Sequence, residues 1–218
     1  MEDRLRPWSK PILCLVVGNT SGRIPLHEIV TRAVEAGIDW LQLRERDLDG
    51  AAWLEWGRPL CKAARSAAKR SGRPLAVTVN RRVDLALVLG ADGIHLGFDA
   101  LDSAQARNRM GASRLVGVST HSEDEVDRAR LPGADYVHLA PIFDPISKPA
   151  SRQAAGLETL ATACQRDLPV LAQGGIEVSN AASVLAAGAR GIAVTGSVVT
   201  AADPASVVRA LRAVLDRA

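Results

Sequence analysis

Eight short apolar runs recur along the chain, each followed by a segment with helical spacing, and this alternation limits the fold more than any other feature. The runs are 12–17, 40–43, 75–79, 93–96, 115–118, 136–139, 170–172 and 191–194. Each is almost continuously apolar. A strand reads that way when both of its faces are covered, as in a parallel sheet flanked by helices. Between the runs, Val178, Ala181, Ala182 and Leu185 follow i, i+3, i+4, i+7 within 178–187. Val207, Leu211, Val214 and Leu215 form a similar stripe, with Arg209, Arg212 and Asp216 expected to face away. Pro204 falls in the first turn of that last helix, where its missing N–H costs nothing. The segment 50–70 also reads as a helix, with Pro59 expected to kink or break it.

A weak repeat marks where helices hand over to strands: Ala36-Gly37-Ile38-Asp39, Gly90-Ala91-Asp92-Gly93-Ile94, Gly133-Ala134-Asp135-Tyr136-Val137 and Gly188-Ala189-Arg190-Gly191-Ile192. A glycine in the left-handed region ends a helix without a Cβ clash and turns the chain into the next strand. Eight such units in 218 residues predict a closed (β/α)8 barrel, one domain over 1–218, compact against the usual ~250 residues. The rival is a doubly wound open sheet. It has fewer strands and carries Gly-x-Gly-x-x-Gly after the first, whereas here Gly18-Asn19-Thr20-Ser21-Gly22 follows.

The net charge of +3, from 27 basic and 24 acidic residues, is too mild and too scattered for a nucleic-acid partner. The apolar run 12–18 is far short of a membrane span and lacks a signal-peptide cleavage pattern. Cys14, Cys61 and Cys164 form neither a disulfide framework nor a zinc signature. A soluble, cytoplasmic protein with neither a nucleic-acid nor a membrane partner is expected.

A barrel carries its site in the loops at the C-terminal ends of its strands. Those positions hold Gln42, Arg44, Glu45 and Arg46; Asn80, Arg81 and Arg82; His95, Gly97 and Asp99; and Ser119, Thr120 and His121. They continue with segment 140–148, then Gln173, Gly174 and Gly175, then Thr195, Gly196 and Ser197. Loops seven and eight are the usual place for a phosphate. There Gly174 and Gly175 permit close backbone approach, and Thr195, Gly196 and Ser197 add amides and hydroxyls. Arg44, Arg46, Arg81, Arg82 and Lys148 supply more positive charge than one phosphate needs, the arginines as flat bidentate donors. Arg44 in particular needs a partner. Glu45 is nearest in sequence, but strand neighbours point to opposite faces. His121 is the best proton-transfer candidate. His95 and His138, inside apolar runs, read as packing residues with satisfied nitrogens. No motif for a tight metal site is present.

These residues resemble the thiamin phosphate synthase and thiazole tautomerase superfamily. The resemblance spans 12–204. It is carried by Gln42-Leu43-Arg44-Glu45-Arg46, Asn80-Arg81-Arg82-Val83-Asp84-Leu85-Ala86, Gly90-Ala91-Asp92-Gly93-Ile94-His95-Leu96-Gly97 and Gly117-Val118-Ser119-Thr120-His121. Pro141-Ile142-Phe143, Ser147-Lys148-Pro149 and Ala172-Gln173-Gly174-Gly175-Ile176 extend it. It implies a barrel handling a phosphorylated thiazole, and a homodimer. In the synthase branch a hydroxymethylpyrimidine diphosphate is joined to the thiazole phosphate with magnesium, and pyrophosphate leaves. By that pattern Gln42, Arg44, Asn80, Ser119, Ser147 and Lys148 contact the pyrimidine or its diphosphate, while Arg46 replaces the usual lysine. Gly175 and the backbone around Thr195 and Gly196 hold the thiazole phosphate.

Three positions depart from the synthase pattern. Asn80-Arg81 stands where the family has Asn-Asp, Phe98-Asp99-Ala100 where it has glutamine, an acidic residue and aspartate, and Pro145 where it has threonine. The two lost aspartates are the family's magnesium carboxylates, and Asp84 or Asp99 reaches a metal only through a backbone shift. Arg81 is the candidate to replace the metal as a counter-ion. On this ground the tautomerase branch is expected, with no cofactor. His121 would then move a ring proton to the exocyclic carbon of a carboxylated thiazole phosphate, and Arg44 would pair with the carboxylate. The alternatives are a magnesium-dependent synthase and a non-catalytic protein that binds thiazole or thiamin phosphate.

Overall fold

Eight parallel strands hydrogen-bond in sequence order and close on themselves, β1 pairing with both β2 and β8. They are β1 Ile12–Val17, β2 Trp40–Leu43, β3 Ala76–Asn80, β4 Gly93–Leu96, β5 Leu115–Thr120, β6 Tyr136–Leu139, β7 Val170–Gln173 and β8 Gly191–Val194. Around them lie α1 Leu26–Ala36, α2 Gly50–Ser71, α3 Val83–Val88, α4 Ser103–Met110, α5 Glu123–Arg130, α6 Gly156–Cys164, α7 Ala181–Ala186, α8 Gly196–Val199 and α9 Pro204–Leu215. The structure is a computed structural model and describes residues 10–19, 23–97, 100–130, 133–144 and 153–218. The fold is the expected (β/α)8 barrel.

Two apolar layers follow from the strand period of two. Outward residues such as Leu13, Leu15, Leu41, Val77, Ile94, Val137 and Ile192 pack under the helices. A separate inner cluster fills the barrel with Ile12, Cys14, Val16, Trp40, Ala76, Leu115, Tyr136, Leu171 and Ala193. Gly117 makes room for it, since a Cβ there would lie 2.2 Å from Cζ of Tyr136. Further along the inward positions the side chains turn polar, with Gln42, Asn80, His95 and His138 all buried. The register places Asn80 beside His95 and Ser119 beside His138. The inner strand faces are therefore apolar at one end and polar at the mouth.

The four repeats do more than end helices. Gly37, Gly90, Gly133 and Gly188 all take positive φ, as expected. In three of the repeats the aspartate that follows also stitches the barrel floor. Asp39 Oδ2 accepts the Leu13 amide at 2.9 Å, Asp92 Oδ2 the Val77 amide at 2.8 Å and Asp135 Oδ2 the Val116 amide at 2.8 Å. An arginine completes each stitch: Arg212 on Asp39, Arg65 on Asp92 and Arg107 on Asp135.

Three local expectations are corrected. Arg212 does not face away: it is 6% exposed and reaches Asp39 from the last helix. The helix α2 runs unbroken through Pro59. Pro59 is exposed, so the carbonyl it leaves open sits on the solvent side, while Trp53, Gly57, Leu60, Cys61 and Ala64 hold the opposite face in the core. Helix α7 starts only at Ala181, leaving Val178 exposed in the preceding turn. Asn180 holds that turn instead, accepting the Glu177 amide and donating to the Gly175 carbonyl, each at 2.9 Å.

Candidate active site

Among the described residues, the polar residues named from the sequence gather at the barrel mouth in two sectors. The first is cationic and lies at the ends of β2 and β3. Arg44 continues β2, its amide donating to the Val17 carbonyl at 2.7 Å. Glu45 is turned to the backbone, in keeping with the opposite sense of strand neighbours. Its carboxylate accepts the amides of Asn19, Arg46 and Asp47 at 2.7, 2.7 and 2.9 Å and so ties the first and second loops together. Burial pushes the Glu45 carboxyl upward, but those amides outweigh it and hold it below the usual carboxylate value. The Arg44 guanidinium is pushed below its ordinary value by burial and by Arg46, Glu45 opposing and Arg81 adding to the shift.

After β3 the chain turns sharply. The Asn80 side chain and the Arg81 amide both donate to the His95 carbonyl, at 3.1 and 2.8 Å. The Arg82 amide donates back to the Asn80 carbonyl at 2.8 Å. This forces Arg81 to φ 65°, the left-handed region that favours glycine. Arg82 is neutralised by Asp84, its Nε lying 2.9 Å from Oδ1.

Between the sectors lies a buried histidine pair with ring centroids 4.2 Å apart. His95 meets the Tyr136 hydroxyl through Nδ1 at 3.2 Å and the Ser119 hydroxyl through Nε2 at 3.0 Å. His138 meets Gln173 Oε1 through Nδ1 at 3.1 Å, but its Nε2 has no partner among the described residues, which corrects the expectation of satisfied nitrogens. Burial holds His95 well below 6.5, His138 and Arg44 adding to it, and pulls His138 down to about 4. Both rings are neutral at pH 7. Gln42 Nε2, Asn80 Oδ1 and Ser197 Oγ are among the other buried atoms that lack partners in the described residues. Each unmet group costs about 1–3 kcal/mol, which a polar ligand at the mouth would recover.

The second sector is the pair of turns after β7 and β8, enclosing a small cavity of about 70 Å³ lined by Gln173–Ile176 and 193–197. Gly174 and Gly175 take φ 96° and 62°. A Cβ on Gly175 would come within 2.4 Å of the Asp144 carbonyl. These glycines therefore serve the packing of the loop after β6 as well as the cavity. The Val198 and Val199 amides close onto the Thr195 carbonyl. The amides of Gly196 and Ser197 stand before the first bond of that turn. A larger cavity of about 390 Å³ opens beside the mouth, where Ala100, Ser119, Thr120, Glu125 and Arg128 are among its walls.

His121 lies at the rim, but its amide and Nδ1 both bond the Glu125 carboxylate, at 2.7 and 3.0 Å. Ser147, Lys148, Pro145, Phe98 and Asp99 lie outside the described residues. What the sequence reading missed is the network joining His95, Ser119, Tyr136, His138 and Gln173. Its only signal was the fixed parity of polar residues inside apolar runs.

Among the described residues, four carboxylates near the mouth are already engaged. Glu45 is spent on three amides, Asp84 on Arg82, Asp49 on capping α2 and Asp102 on capping α4. Among the described residues no group of three or more His, Cys, Asp or Glu is placed to hold a metal.

Fold and rim together define the class: a (β/α)8 barrel whose polar residues collect at the C-terminal mouth, where barrel enzymes carry their sites. More particularly, the chain belongs to the thiamine monophosphate synthase family, whose family model matches residues 13–198. It is 40% identical over 196 residues to a thiamine-phosphate synthase of Roseiflexus sp. (strain RS-1), covering 89% of this chain and 80% of that one. A thiamine-phosphate synthase of Moorella thermoacetica is 37% identical over 205 residues, covering 94% and 95%. Among solved structures, a thiamine phosphate pyrophosphorylase from Pyrococcus furiosus superposes with a TM-score of 0.83 at 28% identity, covering 96% of this chain and 98% of that one.

These relatives overturn the expected tautomerase branch and its isomerase activity. That expectation rested on two absent carboxylates and assumed that a diphosphate site must gather a metal. Two missing carboxylates alter the charge of the rim but do not by themselves identify the reaction. The proton-shift role of His121 goes with the tautomerase branch.

Proposed function

We propose that this chain is a thiamine-phosphate synthase, a transferase that joins a hydroxymethylpyrimidine diphosphate to a thiazole phosphate. The observation that carries the reading is the presence of two separate anion-favouring sectors on one rim. An enzyme acting on a single phosphate needs one; joining two phosphorylated molecules needs both. In the reaction the thiazole nitrogen bonds to the pyrimidine's exocyclic methylene carbon. The carbon–oxygen bond to the diphosphate breaks, and pyrophosphate leaves with the electron pair.

In this reading the unmet Gln42 Nε2 and Asn80 Oδ1 face the pyrimidine, with Ser119 beside the neutral His95. Arg44, Arg46 and Arg81 take the diphosphate, joined by Ser147 and Lys148 from the loop after β6. Gly174, Gly175, Thr195, Gly196 and Ser197 take the thiazole phosphate, with Ser197 Oγ as a buried donor. Holding nucleophile and carbon in contact, with the charge of the departing diphosphate already matched, is the main contribution such a site makes. The reading also includes a homodimer and a cytoplasmic location, the latter supported by the three free cysteines. Among the described residues no helix is long and apolar enough to cross a membrane.

The test is direct. Purified protein given both substrates should release thiamin phosphate and pyrophosphate in equal amounts. No product from the pair would reject the reading.

A further inference from the structure

We infer that His95 is a positioning residue: it donates its single ring proton to Ser119 and so turns the Ser119 hydroxyl proton outward, toward a diphosphate oxygen of the pyrimidine substrate. This rests on the synthase reading and specifies how one of its substrate contacts is given a fixed direction. The register makes the arrangement possible. His95 and Tyr136 both pair with Gly117, from either side, so the three stand at one level of the barrel, and Ser119 stands two residues nearer the rim. Strand β5 separates the two rings. Gly117 lets the Tyr136 hydroxyl cross it, since a Cβ there would come within 2.5 Å of the phenolic oxygen. His95 is then held from both ends, Nδ1 3.2 Å from the Tyr136 hydroxyl and Nε2 3.0 Å from Ser119 Oγ. His138, stacked 4.2 Å away, bonds Gln173 and takes neither nitrogen of His95.

A neutral imidazole has one N–H and one bare nitrogen, so one of these two bonds is donated by the ring and the other accepted by it. Burial keeps His95 neutral and pushes the Tyr136 hydroxyl well above its usual value, so the phenol keeps its proton too. A phenol is a stronger donor and a weaker acceptor than an alkyl alcohol, because the ring draws on its oxygen lone pair. The favoured direction therefore runs from the Tyr136 O–H to His95 Nδ1, and from His95 Nε2–H to Ser119 Oγ. The reverse would set the weaker donor on the imidazole nitrogen and the weaker acceptor on its N–H. With a Ser119 lone pair taken by His95, the serine proton points away from the ring. Ser119 is half-buried and lines the cavity of about 390 Å³, so that direction leads into the mouth. Hydrogen bonds running one way polarise each member toward the next. The chain thus ends in a strengthened donor, suited to an anionic oxygen, whose direction is set in the packed interior that holds Tyr136.

The experiment has two arms. In the full chain carrying isotope-labelled histidine, long-range proton–nitrogen NMR tells a protonated ring nitrogen from a bare one, and His95→Gln identifies the His95 signals by their loss. The proton is expected on Nε2; a proton on Nδ1 would overturn the proposal. In the second arm inorganic pyrophosphate is titrated calorimetrically into the full chain with magnesium present. Tyr136→Phe keeps the ring but removes the hydroxyl that holds the His95 proton on Nε2, and should weaken binding by about three- to tenfold. His95→Leu should weaken it at least as much, and His95→Gln, which keeps an N–H within reach of Ser119, should recover part of the loss. An unaltered chain that does not bind pyrophosphate would overturn the proposal, as would Tyr136→Phe and His95→Leu chains that bind it as tightly as the unaltered one. Failure of the synthase reading has a different signature: no thiamin phosphate from the two substrates, with the His95 proton still on Nε2 and pyrophosphate still bound.

Discussion

His95 Nε2 lies 3.0 Å from the Ser119 hydroxyl oxygen, and because the ring is held neutral the contact is a hydrogen bond between uncharged groups. The same ring is anchored on its other side by the Tyr136 hydroxyl. Tyr136 belongs to the apolar inner layer and Ser119 to the polar mouth, so the histidine transmits the rigidity of the packed interior to a residue at the site.

Removing the Ser119 hydroxyl leaves the buried His95 Nε2 without its partner, so Ser119→Ala should cost about 1–3 kcal/mol of stability. Below its lowered melting temperature we also expect kcat/KM for the pyrimidine substrate to fall by about tenfold. Steady-state kinetics with the thiazole phosphate saturating measures it. An unchanged kcat/KM would exclude Ser119 from the substrate site.

On the opposite side of the mouth, Ser197→Ala removes the buried, unpartnered Oγ. KM for the thiazole phosphate should rise about tenfold while KM for the pyrimidine diphosphate stays the same. An equal rise for both substrates would contradict two separate anion sectors.

The pH dependence of stability follows from His138, whose folded value of about 4 lies below the ordinary 6.5. Between those values the unfolded chain binds the proton that the folded chain refuses. Stability is then fully present above pH 6.5 and is lost as pH falls toward 4, at up to about 1.4 kcal/mol per pH unit. Urea midpoints measured from pH 7 to pH 4.5 should fall, and His138→Gln should flatten part of the slope. His95, shifted in the same direction, adds to the remainder.

At the barrel floor, Arg212 Nη1 lies 2.7 Å from Asp39 Oδ2 with both side chains buried. Removing Arg212 leaves the buried Asp39 carboxylate with only the half-exposed Lys10 at 3.5 Å and the Leu13 amide, so Arg212→Ala should cost about 3 kcal/mol in urea denaturation. Replacing both, as Asp39→Leu with Arg212→Met, should recover a large share of that loss. A single substitution with no measurable cost would deny the stitch its role.

Most of the strand order was legible because burial on both faces leaves a continuous apolar run, a local property that survives without knowledge of partners. The four glycines at the helix ends were legible for a similar reason, since the left-handed turn is a demand of the backbone itself. Once the barrel was inferred, its geometry also predicted that Gln42, Asn80, Ser119, Gly175 and Ser197 would meet on one rim. Other features needed the folded chain. Arg212 read as a solvent-facing helix residue because its partner is 173 positions away. His121 read as a proton-transfer candidate, but nothing in the spacing says that Glu125 bonds both its amide and its Nδ1. Pro59 read as a helix kink or break, and only the folded chain shows that the helix continues with Pro59 facing water.

The chain's own pattern of apolar runs and glycines was thus enough to specify the barrel and the side of it that carries chemistry, both being consequences of short-range periodicity. Which charges at the mouth are spent and which stay available for a substrate is a matter of distances between residues on different strands. Glu45 is held by the amides of Asn19, Arg46 and Asp47 and Asp84 by Arg82, while Arg44 feels the charges of Arg46, Glu45 and Arg81 across the rim. Electrostatic and hydrogen-bond energies depend on separation in space, and only closing the barrel sets those separations.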